Sequence, residues 1–434
     1  NTELVSITGG AISATDVNTI LGATSGTVTA IVTADTAANL NAALTNATST
    51  DALTLTVNGA TAQATDLIDL DGKTSVDVSV TATAVSGTFA NLNNIYVTNV
   101  SNYSNLGDEN ITITDTQSAT NVNTILGKTT GVVTATVSAD TAANLNSALT
   151  NATSTDALTL TITDTSLSSL TNLLALDTKT SLAVNASSIT SITETYANLN
   201  TAYSSAGISG LGNEAVTITD TQSATNVNII LGATSGNVTA IVTADTAAAL
   251  NTALTNATTG TDALTLTIND TSLTSVSDLL ALDGKTNVAV NASSVNSITD
   301  TYTNLNSVYA ANTAGTISGL GNEAVTISDT TSAANVNTIA GKTSGVLTAT
   351  ITTGAVTSTL AAITNVDAND VITFTTNDTS VDASDLVALA LKVDTLGVNS
   401  VTTITEAYNT ANVATVVTNA LNITGNTELV SITG

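Results

Sequence analysis

Aspartate is the residue most often placed where it could do chemistry. It recurs where a segment of alternating apolar residues gives way to helical spacing, at Asp35, Asp115, Asp140, Asp164, Asp220, Asp245, Asp270 and Asp329. A carboxylate there accepts backbone N–H bonds and faces the positive end of the helix dipole, so we predict helix N-caps. The alternative is a ladder of Ca²⁺ sites, although no D-x-[DN]-x-[DN]-G loop occurs.

The tripeptide Gly-Lys-Thr is a second candidate, because it resembles the end of a phosphate-binding loop. It occurs at 72–74, 127–129, 284–286 and 341–343. A phosphate loop needs a further upstream Gly, which the first three copies lack. Lys is also favoured near the C-terminus of a helix. The pattern therefore predicts turns between a helix and the next strand.

The composition argues against catalysis. Pro, Cys, Met, His, Trp and Arg are all absent, so the commonest acid-base groups and nucleophiles are missing. We expect no enzyme, no catalytic residue and no required cofactor. The net charge of −28 disfavours nucleic acid and anionic lipid as partners. No run of 18 apolar residues occurs, so we expect no membrane span.

The elements that would position these residues recur about every 25 residues. Each repeat opens with strict alternation, as in LTLTIT at 158–163, which is typical of a strand with one wet face. Helical spacing follows, as in Leu167, Leu170 and Leu174. Consecutive strands joined through a helix run parallel. We predict an α/β solenoid of about 17 β-α units with a parallel sheet and helices on one face. It should be curved or superhelical, because packed helices need more room than paired strands.

A longer period groups the repeats into modules. The motif VNTILG at 17–22 returns at 122–127, as VNIILG at 227–232 and as VNTIAG at 336–341. We therefore predict four modules, which span 1–106, 107–212, 213–321 and 322–425. The segment NTELVSITG at 1–9 then reappears at 426–434 as the start of the next super-repeat. The sequence is expected to be a window of a longer repeating polypeptide.

The fourth repeat of a module is longer and carries most aromatic residues. We predict that core packing accounts for most of its tyrosines, which are Tyr96, Tyr103, Tyr196, Tyr203, Tyr302, Tyr309 and Tyr408. The insert ISGLGNE at 208–214 and 317–323 is predicted to be a solvent loop, or alternatively a lateral contact. The Thr rows are predicted to cover the wet face of the sheet. Their alternatives are an ice- or glycan-binding surface and a docking face for another copy.

The run DTAANL at 140–145 recurs at 35–40 and, as DTAAAL, at 245–250. It resembles the DTAAN-type repeats of very large secreted bacterial surface proteins. These include S-layer-like, filament-forming and RTX-adhesin proteins, often exported by type I secretion, some of them cyanobacterial. The Gly-Asp-rich Ca²⁺ nonapeptides of that group are absent here. The resemblance implies an extracellular location at the cell surface.

These observations together favour an extracellular structural protein. Its tandem modules would build a filament, sheath or surface layer through lateral and end-to-end contacts with other copies of itself. The alternatives are the stalk of a giant bacterial adhesin, or a Thr-rich solenoid surface that binds ice or glycan.

Overall fold

The computed structural model describes residues 1–258, 260–408 and 411–434. It divides into two compact units, Asn1–Ala215 and Val216–Gly434. Both are α/β, and every strand pair described within them is parallel. The described residues form sixteen α-helices, close to the about 17 β-α units predicted.

The helices of the first unit are α1 (Ala14–Leu21), α2 (Ala37–Ala43), α3 (Ala64–Asp71), α4 (Phe89–Asn93), α5 (Ala119–Leu126), α6 (Ala142–Ala148), α7 (Thr171–Asp177) and α8 (Tyr196–Ser204). A π-helical turn, Asn94–Thr98, extends α4, and a short 3₁₀ helix, Val100–Asn102, follows it. The helices of the second unit are α9 (Ala224–Ala233), α10 (Ala247–Ala253), α11 (Ser277–Asp283), α12 (Tyr302–Ala314), α13 (Ala333–Ala340), α14 (Val356–Ala362), α15 (Ala383–Ala390) and α16 (Val413–Thr424).

The strands of the first unit are β1 (Val5–Ser6), β2 (Val28–Ile31), β3 (Ala52–Thr54), β4 (Thr56–Val57), β5 (Ala62–Gln63), β6 (Val78–Val80), β7 (Ala84–Gly87), β8 (Tyr103–Ser104), β9 (Asn110–Ile113), β10 (Val133–Thr136), β11 (Ala157–Thr159), β12 (Ser166–Leu167), β13 (Val184–Asn185), β14 (Ser191–Glu194) and β15 (Ile208–Ser209). They pair in the orders β1-β2-β3, β4-β6-β8, β5-β7-β9-β10-β11, β12-β14 and β13-β15.

Strand β16 (Ala215–Ile218) begins at the last residue of the first unit. The second unit continues with β17 (Val238–Ile241), β18 (Ala263–Thr265), β19 (Ser272–Leu273), β20 (Val290–Asn291), β21 (Ser297–Asp300), β22 (Ile317–Ser318), β23 (Ala324–Thr331), β24 (Leu347–Ile351), β25 (Val371–Thr375), β26 (Ser380–Asp382), β27 (Thr395–Gly397), β28 (Thr403–Ala407) and β29 (Leu429–Thr433). The orders are β16-β17-β18, β19-β21-β23-β24-β25-β27, β20-β22 and β26-β28-β29.

Each strand pairs with the strand of the next repeat. The step from Val325 to Leu347 is among the shortest in sequence, and the step from Val290 to Ile317 is among the longest. Because every such step is close to the length of one repeat, each repeat stacks on its neighbour in register.

Some repeats contribute more than the single strand predicted. In the third repeat, β3 pairs back with β2, whereas β4 and β5 pair forward with β6 and β7. Along 158–163 the strand likewise ends at Thr159, and Thr161 then bridges forward to Asn185. Side chains still alternate between buried and exposed along this segment, because the backbone stays extended.

The helices are short and depend on the apolar face that they bury. In α6, Thr141 caps the N-terminus and Ala142 and Leu145 are buried. Seven residues are too few for a helix to be stable alone in water, so packing must hold it. The helical pattern predicted from Leu167 was misplaced, because Leu167 lies in β12 and α7 instead buries Leu173 and Leu176.

Candidate functional site: polar bridges between successive repeats

Three of the aspartates predicted to be N-caps lie one residue too early for that role. Thr36 is the N-cap of α2, and its hydroxyl accepts the Asn39 N–H at 3.3 Å. The carboxylate of Asp35 instead accepts the Thr36 N–H at 2.7 Å and the Asn39 Nδ2–H at 2.9 Å. Asp140 and Asp245 are placed in the same way. In these three Asp-Thr pairs the Thr is the N-cap, and its hydroxyl accepts a backbone N–H of the first turn.

A second group of the predicted aspartates does bind a helix N-terminus, but that of the preceding repeat. Asp164 Oδ2 accepts the N–H of Ala142, the first residue of α6, at 2.7 Å. Equivalent bonds join Asp115 to Phe89, Asp270 to Ala247 and Asp329 to Tyr302. In the same way Asp378, which was not predicted, binds Val356. Each carboxylate therefore ties one repeat to the helix dipole of its neighbour. Asp220, which completes the predicted set, accepts a bond from Gln222 Nε2.

The carboxylates of Asp300 and Glu194 each bind two repeats at once. Asp300 Oδ1 accepts the Thr301 N–H of its own repeat at 2.7 Å, and Oδ2 accepts the N–H of Val276 in the preceding one at 2.9 Å. Glu194 does the same with Thr195 and Leu170. Burial tends to raise the pKa of both carboxyls, but these hydrogen bonds outweigh it and lower the pKa of each.

A set of buried aspartates was missed by sequence reasoning. Asp156 is 4% exposed; its Oδ1 accepts the Val133 N–H of the preceding repeat at 2.8 Å, and its Oδ2 accepts the Thr153 N–H at 2.9 Å. Its equivalents are Asp51, Asp262 and Asp370. The sequence signal that could have identified this set is the segment TDALTLT, which contains Asp51, Asp156 and Asp262.

Four of the six lysines bind the opposite end of the helices. Lys179 Nζ donates to the carbonyls of Asn146 and Leu149, both at 2.8 Å, at the C-terminus of α6 in the preceding repeat. Lys73, Lys285 and Lys392 bind the ends of α2, α10 and α14 in the same way. This confirms the preference of Lys for a helix C-terminus, although the helix is that of the neighbour. The Gly of each Gly-Lys-Thr is the C-cap of its own helix, so the predicted turns are confirmed.

Asparagine pairs form a third bridge that the sequence did not reveal to us. The Asn151 backbone N–H donates to Asn123 Oδ1 at 2.8 Å, and Asn151 Nδ2 donates to the Asn123 carbonyl at 3.2 Å. The pairs Asn18 with Asn46, Asn228 with Asn256 and Asn337 with Asn365 repeat this geometry. The two Asn of each pair have a constant spacing in the sequence. That spacing indicates a contact only once the stacking of the repeats is known.

The inserts predicted as solvent loops are anchored to the repeats at both ends, and the residues between those ends are loops in which Gly319 and Asn322 are exposed. Ile317 lies in β22, which pairs with β20, and Glu323 is 1% exposed. The Glu323 carboxylate accepts N–H bonds from Gly321 and Asn322 and a short bond from the Tyr309 hydroxyl. Tyr203 and Glu214 form the same pair in the first unit.

Three of the seven tyrosines lie in the core, three are half-buried and one is exposed. Tyr96, Tyr103 and Tyr309 are buried, and burial is the main cause that raises the pKa of each hydroxyl. Tyr408 is 73% exposed, so core packing does not account for it.

Comparisons with protein-family models, with curated proteins and with solved structures gave no match. A functional proposal for this chain therefore rests on the arrangement of its own residues.

In the described stretches of the chain, 1–258, 260–408 and 411–434, no three His, Cys, Asp or Glu side chains are grouped so that they could hold a metal ion. The recurrent aspartates are instead occupied by backbone N–H groups. Within those stretches no helix has both the length and the apolar character needed to cross a bilayer. Ca²⁺ binding stays a prediction for experiment.

The Thr rows do lie on an exposed face. Thr134 and Thr136 of β10 are exposed, and Thr136 pairs with the exposed Thr159 of the next repeat. Apolar residues interrupt the rows, since Ile31 and Ile241 are 50% and 54% exposed at equivalent positions. The face is therefore a mixed surface of Thr and aliphatic side chains.

Acidification is expected to destabilise the fold. The structure lowers the pKa of the carboxyls of Asp35, Asp140, Glu194, Asp300 and Glu428. A lowered folded-state pKa contributes stability above the unfolded value, 3.8 for Asp and 4.5 for Glu, and that stability is lost as the pH falls further. The midpoint of urea unfolding should therefore be lower at pH 3 than at pH 7, and Asp300→Asn should flatten the difference. A higher midpoint at pH 3 would show that relief of the net charge of −28 dominates.

Proposed function

We propose that this protein is an extracellular structural protein whose tandem modules build a filament, sheath or surface layer at the cell surface. The repeats form a solenoid with helices on one face and a parallel ribbon on the other, and it is curved because helices need more room than paired strands. Its partners are other copies of itself.

One observation carries the proposal. Three kinds of polar bridge between repeats, made by a buried Asp, a Lys and an Asn pair, each occur once in every module. Polar side chains that an enzyme would direct into a cleft are hydrogen-bonded here to the backbone of a neighbouring repeat. Such a chain gains rigidity with every repeat that is added, which is the property a fibre or coat requires.

The DTAAN-type segments support the same proposal by resemblance. They lie at the start of α2, α6 and α10, where the Thr is the helix cap and the Asn or Ala follows within the first turn. They are thus elements of the repeat itself, as expected for surface proteins built from tandem units.

Electron microscopy of the purified chain and of the native material tests the proposal. We expect ordered filaments or sheets. Their diffraction pattern should contain a reflection at ~4.8 Å along the long axis, which arises from the stacked strands. Isolated particles at every concentration, with no lateral order, would contradict a coat or fibre and favour the adhesin stalk. Thermal hysteresis in solution would instead favour ice binding by the Thr-rich face.

A further inference from the structure

The dipeptide Asn58-Gly59 occurs once in the chain and lies directly after β4. The third and fourth modules carry Asn269-Asp270 and Asn377-Asp378 at the same place in the fold. The Asn58 N–H donates to a carbonyl of the preceding repeat at 3.0 Å. The N–H groups of Asn269 and Asn377 make the same bond, at 3.0 and 3.1 Å. The three sites therefore share a backbone setting and differ in the residue that follows the Asn.

Gly59 changes this setting in two ways. It has no side chain, so the site lacks the bond that Asp270 and Asp378 make to a helix N–H of the preceding repeat. Its φ of +105° lies in the left-handed region, which glycine adopts without steric strain. Asn58 and Gly59 are both exposed. The segment is therefore open to solvent and lacks one restraint that its equivalents have.

Two groups at this site are free to react with each other. Among the residues that the structure describes, neither the carboxamide of Asn58 nor the N–H of Gly59 has a hydrogen-bond partner. The glycines that follow an Asp differ, since Gly72 donates its N–H to the Ile68 carbonyl at 3.2 Å and Gly284 likewise donates to a helix carbonyl. A backbone N–H that is bonded in this way is held away from the side chain before it. At Gly59 neither a hydrogen bond nor a Cβ hinders the attack.

We infer that Asn58 is a covalent modification site, at which the chain deamidates spontaneously through a cyclic imide. The Gly59 nitrogen attacks Cγ of Asn58 and forms a C–N bond. The Cγ–Nδ2 bond breaks, and ammonia leaves with the proton that the Gly59 nitrogen gave up. Water then opens the ring at either carbonyl, which yields aspartate or isoaspartate at this position. Nothing is oxidised or reduced, and water is the only co-reactant.

The isoaspartate product lengthens the main chain by a methylene group between Asn58 and Gly59. Both neighbouring repeats are bonded at this point. Asp35 of the preceding repeat accepts the Asn58 N–H, and the Gly59 carbonyl accepts the Thr83 N–H of the following repeat at 3.3 Å. A longer main chain shifts the two bonding groups relative to each other, and hydrogen bonds weaken steeply with misalignment. The modification therefore loosens one repeat from its neighbours.

Both products also replace a neutral carboxamide by a carboxylate. Each deamidation therefore makes the net charge of −28 more negative by one charge. Because Asn58 is exposed, water solvates the new carboxylate and the folded state tolerates it. The modified chain stays folded and can be separated from the unmodified chain by anion exchange.

Peptide mapping by mass spectrometry tests the inference. The purified folded chain is incubated at mildly alkaline pH, and each Asn-containing peptide is followed over time for the mass gain that separates OH from NH₂. Asn58 should react at least about tenfold faster than Asn269 and Asn377, because the Asp after each of these carries a Cβ that hinders the attack and glycine does not. Asn269 and Asn377 are internal controls in the same backbone setting.

Two variants sharpen the test. Asn58→Thr introduces the residue that the second module has there, Thr163, and it should abolish both the mass gain and the more acidic species on anion exchange. Asp270→Gly gives Asn269 the same neighbour as Asn58, and it should raise the deamidation rate at Asn269 at least about tenfold. The unmodified sequence in urea is the positive control for the chemistry, since the dipeptide reacts there without constraint from the fold.

The outcomes decide the inference either way. If Asn58 reacts in urea but reacts no faster than Asn269 and Asn377 in the folded chain, the inference is wrong. It is also wrong if Asn58→Thr leaves the more acidic species unchanged. Deamidation at Asn58 together with faster hydrogen exchange of the Thr83 N–H would support both the site and its effect on stacking. These results do not depend on the proposed structural function, which electron microscopy tests separately.

Discussion

Replacing Asp156 by Ala is expected to lower the free energy of unfolding by about 3–5 kcal/mol. The carboxylate is 4% exposed and accepts bonds from the Val133 and Thr153 N–H groups, one in each of two repeats. Bonds to a charged acceptor contribute about 1.5–3 kcal/mol each, and Ala leaves a buried donor without a partner. Urea unfolding followed by circular dichroism measures the change.

Asp140→Ala is the matched control for this prediction. Asp140 is exposed and binds only Thr141 and Asn144 within its own repeat. Replacing Asp140 should lower the free energy of unfolding by clearly less, because water can replace both hydrogen bonds. Equal losses of unfolding free energy in the two variants would mean that the hydrogen bond between repeats stabilises the fold no more than a bond within one repeat. Asp156→Asn, which keeps one acceptor oxygen, should fall between them.

Replacing Leu279 by Ala is expected to cost about 2–5 kcal/mol, because it leaves a cavity in a packed core. Leu279 is fully buried on α11, whereas Leu391, also in the second unit, is 74% exposed. Leu391→Ala should change stability by less than about 0.5 kcal/mol and is the control.

Hydrogen exchange shows how far the damage from Leu279→Ala extends. Stacked repeats contact only their neighbours, so protection should fall most in α11 and in α10, which packs against it, and least in repeats farther away. Uniform loss of protection throughout the second unit would contradict nearest-neighbour coupling and indicate one cooperative core.

The sequence was a good guide to elements whose signal lies within a few residues. Alternation along 158–163 predicted an extended segment with one wet face, and the structure buries Leu158, Leu160 and Ile162 there. Parallel pairing followed from the order of strand and helix, because a helical crossover returns the chain in the same direction. The turns at Gly-Lys-Thr followed from helix termination.

The predictions that were wrong mostly depend on contacts beyond the local segment. Asp164 was expected to cap its own helix, but a repeat-length away Ala142 offers its N–H to that carboxylate. The insert at 317–323 looked like a loop because Gly breaks both periodicities. The tertiary structure anchors the insert, because Glu323 is buried and accepts a hydrogen bond from the Tyr309 hydroxyl.

The sequence by itself determined that this chain is α/β, that its segments recur at regular spacing and that its charge is strongly acidic. These follow from hydrophobic periodicity, helix-terminating residues and composition, which are local or additive. Only the tertiary structure decided which repeat each Asp, Lys and Asn side chain binds. A hydrogen bond requires an alignment within a few tenths of an ångström, and the stacking register that supplies it is a property of two repeats packed together.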